Sequence, residues 1–122
     1  MIDILKRVRK LLSEPSRWSK KGNFARDENG HPVAATAEDA VCWCILGAVM
    51  HECECGLFDR SPGGSMFYRI IGKMEEELGI EESGTSLPYW NDIKNTAHAD
   101  VLNLLDRMIT NESSRGSKEA AV

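Results

Sequence analysis

Four stretches of the chain place apolar residues at helical spacing. In the first, Leu5, Val8, Leu11 and Leu12 share one side while Lys6, Arg7 and Lys10 occupy the other, which predicts a helix over Ile2–Ser13. Glu14-Pro15 ends it, because the residue before proline avoids the helical region. Trp18 follows in a loop, where it is expected to pack over the helix end. The second stretch, Val41 to Met50, is nearly all apolar. Behind the capping signature Thr36-Ala37-Glu38-Asp39 it predicts a helix over 38–51. A helix apolar on all sides is buried on all sides, so this one is expected at the centre. In the third, Phe67, Ile70, Ile71, Met74 and Leu78 form a stripe. A helix over Met66–Leu78 is expected, capped by Ser65 and stopped by Gly79, with Ile80 folding back. In the fourth, Val101, Leu104, Leu105, Met108 and Ile109 give a helix over Ala97–Thr110, capped by Thr96.

The segments between read differently. Asn29-Gly30 is a two-residue hairpin turn signal, and Pro32 suits an edge strand. A short hairpin near 24–33 is expected, with Phe24 and Val33 facing inward. Glu52 to Gly64 reads as a loop broken by Gly56, Pro62, Gly63 and Gly64. Glu81 to Asn95 reads as a polar loop with an aromatic insert. From Asn111 onward the composition suggests a disordered tail over 111–122. The expected fold is mainly α: about four helices around the buried 38–51 helix plus one hairpin, as a single domain over 1–110.

Composition supports this without adding chemistry. The chain has 122 residues, 42% hydrophobic and 28% charged, typical of one globular domain. Its longest apolar run falls well short of the roughly 20 residues a membrane span needs. Charged residues interrupt the N-terminal stretch, so a signal peptide is not expected and a cytoplasmic setting is. Net charge is −4, unevenly spread. Residues 1–21 carry seven Lys/Arg and two Asp/Glu, and the remainder carries eight and seventeen. An acidic body argues against general nucleic-acid binding, which needs many cations against phosphate. Lys6, Arg7, Arg9 and Lys10 are the local exception and a candidate binding face.

Candidate chemistry clusters in Cys42-Trp43-Cys44 and His51-Glu52-Cys53-Glu54-Cys55. Thiolates and imidazole are zinc ligands. On a helix, however, residues two apart diverge by about 200°, and the spacing is not that of a zinc knuckle. Four cysteines packed into one segment also do not staple distant chain parts. The thiols therefore read as small buried hydrophobes, with Cys53, Cys55 and His51 as the metal-binding alternative and no cofactor expected. No cysteine–histidine spacing marks a nucleophile, and Ser61-Pro62-Gly63-Gly64-Ser65 lacks the lysine of a phosphate loop. Trp90-Asn91-Asp92 is the other distinctive cluster. Asp92 is the candidate binding residue there. Trp90 is expected as a core anchor, and Asn91 or Asp92 as a partner for loop and helix-start backbone groups. Trp43 and Gly47 are expected to be structural.

The pieces Trp43-Cys44-Ile45-Leu46-Gly47-Ala48-Val49, Trp90-Asn91-Asp92, Thr96 and the closing run Val101–Ile109 occur in order. In this the chain resembles a family of small bacterial and phage proteins of unknown function. The resemblance implies an intracellular setting and a phage or mobile-element origin, and carries over no catalytic residue.

With no catalytic set assembled, the function expected is non-enzymatic binding of another protein, with host machinery as the partner that the phage resemblance implies. Inhibition of a host defence complex, such as a CRISPR effector, is its concrete form. A metal or redox protein built on Cys53, Cys55 and His51, and a nucleic-acid binder using the first helix, are the alternatives. Leu57-Phe58 offers a homodimer patch.

Overall fold

A computed structural model describes residues 1–20, 23–80, 86–93 and 95–120, with side chains through Arg115. The described residues form five α-helices and a small three-stranded sheet. The helices are α1 (Ile2–Leu11), α2 (Ile45–Cys53), α3 (Pro62–Leu78), α4 (Leu87–Asp92) and α5 (His98–Ala120). The strands are β1 (Ala25–Arg26), β2 (Pro32–Val33) and β3 (Cys42–Trp43). Among the described residues, no helix is long and apolar enough to cross a membrane.

α2 is the centre. Ile45 through Met50 are all buried, and α2 packs against α1, α3, α4 and β3. Around it the core collects Leu5 and Val8 of α1, Phe67, Ile70 and Met74 of α3, Leu87 of α4, and Val101, Leu104 and Leu105 of α5. The apolar stripes of the sequence are these faces. Gly79, at φ +67, ends α3 as expected, and the Ile80 amide returns to the Glu75 carbonyl at 3.2 Å.

The start of α2 corrects the sequence reading. The chain from Thr36 to Ala40 forms turns, closed by Ala37 N–H on Ala34 O and Ala40 N–H on Ala37 O. Cys42–Trp43 is then a strand, paired antiparallel with β1 in the register Ala25↔Trp43 and Arg26↔Cys42. Helix begins only at Ile45, with Cys44 as its cap. A short, wholly apolar run carries no period, so it suits a buried strand as well as a buried helix. The exposed backbone edge of β1 decided between them.

The hairpin is also built differently from its turn signal. β1 and β2 pair Ala25↔Val33 and Arg26↔Pro32, which leaves five residues, 27–31, in the connection. Asp27 organises it, its Oδ1 accepting from the amides of Asn29 (3.0 Å) and His31 (2.9 Å). Gly30 takes φ +80, while Asn29 keeps an ordinary negative φ. The two-residue turn, which needs positive φ at both positions, is therefore not formed. Ala25 is fully buried, and Phe24 and Val33 pack against the core.

α3 starts four residues before the expected position. Ser61 caps it, its Oγ accepting from Gly64 N–H at 3.3 Å. Pro62 sits at the first helical turn, where its missing N–H has no consequence. Gly63 and Gly64 do not break the helix. They let its first turn lie directly against the carbonyls of Cys53 and Asp59.

Leu87–Asp92, read as an aromatic insert in a loop, is the short helix α4, capped by Ser86. Residues 81–85 and 94 of that expected loop lie outside the described residues. The last helix begins at His98 rather than Ala97, and Asp100 Oδ2 accepts the Ala97 amide at 2.7 Å. It continues past Thr110, across residues whose composition suggests a tail. Asn111 donates to Glu77 at 3.0 Å and Glu112 pairs with Lys73 at 3.8 Å, which ties this extension to α3.

Candidate functional site

Three features carry the polar chemistry of the molecule: a hydrogen-bond hub at Asn91, a pocket beside it, and an exposed aromatic loop.

Asn91 is fully buried. α4 delivers it to the N-terminus of α2, where its Oδ1 accepts from Trp18 Nε1 at 2.8 Å and from Ile45 N–H at 3.1 Å. Its Nδ2 donates to Ser19 O at 3.0 Å and to Asp92 Oδ1 at 2.9 Å. A primary amide has two donors and two acceptor lone pairs, so all four are used. One side chain thereby joins the segment after α1, the start of α2, and α4. The indole of Trp18 also stacks near His98 at 6.2 Å and lies 5.3 Å from Lys20 Nζ. Lys20 donates to Ile93 O at 2.8 Å, and His98 Nε2 donates to Leu12 O at 2.6 Å, closing the end of α1.

Trp43 and His51 form a second polar pair in the core. Trp43 Nε1 and His51 Nδ1 both donate to Ala35 O, at 3.0 and 2.9 Å, with the rings 4.9 Å apart. Because a carbonyl can only accept, this contact sets the proton on Nδ1 of His51. Gly47 lies against Phe24, whose carbonyl also accepts Cys44 N–H at 3.2 Å. Trp90 is half-buried on α4, over a shallow groove shared with Leu78 and Arg107.

The four cysteines are free thiols. Burial pushes Cys53 up to about 11, with the Cys55 thiol adding to the effect. Burial raises Cys55 as well, helped by the Asp59 carboxylate. Cys44 is raised by burial first, even though the amides of Gly47 and Leu46 face its sulfur, and the charge of Asp92 raises it further. Reactive thiols need the opposite environment. Among the described residues, no three His, Cys, Asp or Glu side chains converge as a metal site would require.

The basic face of α1 is partly engaged within the molecule. Arg7 pairs with Glu52 of α2 at 3.1 Å and Arg9 with Asp106 of α5 at 2.9 Å, while Lys6 and Lys10 are exposed. The sequence shows a run of cations; the fold sets acidic partners from α2 and α5 against two of them.

The pocket, of about 290 Å³, lies at the start of α2. Phe24, Leu46, Leu57 and Pro88 give it apolar walls, and Asn23, Cys44, Asn91 and Asp92 supply its polar atoms. Of the residues singled out in the sequence, Cys44, Leu57, Asn91 and Asp92 line this pocket. Its wall residues come from four separate segments, so no spacing rule could have assembled them.

Beyond the pocket wall, Phe58 is 84% exposed and holds φ +61. Its amide donates to Tyr68 Oη at 3.2 Å. Leu57 and Tyr68 beside it are about half exposed.

Hub, pocket and loop belong to a small helical domain in which the Asn91 amide spends all four of its hydrogen-bonding sites on holding segments together. The chain belongs to a family of unknown function, DUF6197, whose family model matches residues 1–111. No curated protein and no solved structure matches the chain.

Proposed function

We propose that this chain is a non-enzymatic binding module whose partner is another protein, contacted through the Leu57–Phe58 loop. The observation that carries the reading is Phe58, 84% exposed at φ +61. A non-glycine residue in the left-handed region costs about 1–2 kcal/mol. An aromatic ring left in water also forgoes the burial that stabilises the rest of the core. The ring stays largely in water. Strained, exposed residues of this kind concentrate at functional positions, and aromatic anchors dominate protein interfaces.

The acidic balance beyond residue 21 complements a cationic partner surface and would steer association. A nucleic-acid-handling complex presents such a surface. Inhibition of a host defence complex by a phage-encoded chain is the concrete form of this reading.

Partner capture with wild-type chain and Phe58→Ala, at low and high salt, tests it. The expected result is a partner held by the wild type at low salt, weakened by added salt, and lost with Phe58→Ala at unchanged melting temperature. A partner retained equally by Phe58→Ala, or none at low salt, sinks the proposal.

A further inference from the structure

The described lining of the pocket at the start of α2 does not include Phe58, so this site goes beyond the reading above. Phe24, Leu46, Leu57 and Pro88 wall it. Its volume, about 290 Å³, exceeds the roughly 150 Å³ that holds a benzene ring in an apolar protein cavity. It lies at the small end of ligand pockets, so one ring with a short substituent is the size it takes.

The polar groups around it decide which molecule enters. Each of its four polar lining residues is already engaged inside the chain. Asn91 uses all four of its hydrogen-bonding sites. Cys44 Sγ accepts from Gly47 N–H at 3.3 Å, the Leu46 amide also faces it, and burial keeps the thiol protonated. Asp92 accepts from Asn91 Nδ2 at 2.9 Å and has a further interaction within the chain, and Asn23 is engaged as well. The amides of Ile45, Leu46 and Gly47, which at a free helix end would draw an anion, point at Asn91 and Cys44 instead. A charged ligand would give up its water shell and meet groups whose bonds are already made, a cost that falls on either sign of charge. Hydrocarbon placed against the four apolar walls meets no such cost.

We infer that this pocket binds a small neutral hydrophobe, a single-ring molecule without a charged group, held by its ring between Phe24, Leu46, Leu57 and Pro88. The ring is the recognised part, and charge on a substituent is selected against.

Titration of the full chain with benzyl alcohol, para-methylbenzyl alcohol, benzylamine and benzoate, followed by amide NMR, tests this. Benzyl alcohol is expected to shift the amides of Phe24, Leu46 and Leu57 saturably. The added methyl group of para-methylbenzyl alcohol is expected to tighten binding about fourfold. Benzylamine and benzoate carry the same ring with opposite charges, and each is expected to bind more weakly than benzyl alcohol by about threefold or more. Leu46→Trp, whose larger side chain takes up the space, is expected to abolish the saturable shifts. Leu57→Ala, at a half-exposed wall position, is expected to weaken binding about fivefold, and it decides the matter if Leu46→Trp does not fold. No saturable shift with either alcohol, a charged probe binding as tightly as benzyl alcohol, or undiminished binding in a folded wall variant overturns the inference.

Discussion

Trp18 and Asn91, 73 residues apart in the chain, are joined by a 2.8 Å hydrogen bond from the indole Nε1 to the amide oxygen. That bond lets the chain emerging from α1 close over the start of α2, because the same oxygen also takes the Ile45 amide. The aromatic-amide contact is thus part of a tie between three segments, reinforced by Asn91 Nδ2 on Ser19 O and Lys20 Nζ on Ile93 O.

Replacing Asn91 with Leu keeps the branching of the side chain and removes the tie. Two donors, Trp18 Nε1 and Ile45 N–H, lose their acceptor, one of them fully enclosed. Each stranded donor costs about 1–3 kcal/mol. Asn91→Leu is expected to lose about 3 kcal/mol in chemical denaturation, with a changed Trp18 fluorescence. A loss below about 1 kcal/mol would show that the hub is not needed for stability.

Gly47 and Gly72 make a matched pair of helix glycines. A Cβ on Gly47 would collide with the backbone carbonyl of Phe24, whereas one on Gly72 meets nothing within 4 Å. Gly47→Ala is expected to destabilise by about 3 kcal/mol or more, since backbone cannot step aside as a side chain can. Gly72→Ala is expected to stabilise by about 0.5–1 kcal/mol through helix propensity. Thermal melts of both variants check the contrast, and equal effects would refute it.

Glu54 ends α2 in the left-handed conformation, φ +53 and ψ +46, with the Cys55 amide returning to Met50 O at 3.1 Å. Glycine adopts this conformation without the Cβ clash. Glu54→Gly is expected to raise stability by about 0.5–1 kcal/mol. A fall in melting temperature would mean the Glu54 side chain contributes more than the backbone costs.

The buried thiols set a response to alkaline pH. Cys53 titrates at about 11 in the folded chain against 9.0 for the free group. Between those values the unfolded chain loses a proton that the folded chain keeps, so stability falls as pH rises from 9 toward 11. Cys53→Ala is expected to flatten that fall, read from denaturation midpoints at pH 8, 9.5 and 10.5. Cys53 is also expected to react with a thiol reagent at pH 8 only when the chain is unfolded. An unchanged slope in Cys53→Ala would contradict this assignment.

The hydrophobic periodicity of the chain determined which faces are buried. The stripes at Leu5-Val8, Phe67-Ile70-Met74 and Val101-Leu104-Leu105 are core faces in the fold, because helical spacing alone decides which side chains can share a surface. Gly79 ended α3 for an equally local reason. Tertiary structure alone decided the rest. Cys42–Trp43 became a strand because β1 offered it a backbone edge, and Gly63 and Gly64 entered a helix because neighbouring carbonyls left no room for a Cβ. The partners of Asn91 and the walls around Asp92 come from segments that only folding brings together. Apolar periodicity is a property of consecutive residues and is written along the chain, whereas hydrogen-bond partners and pocket walls are pairings across it.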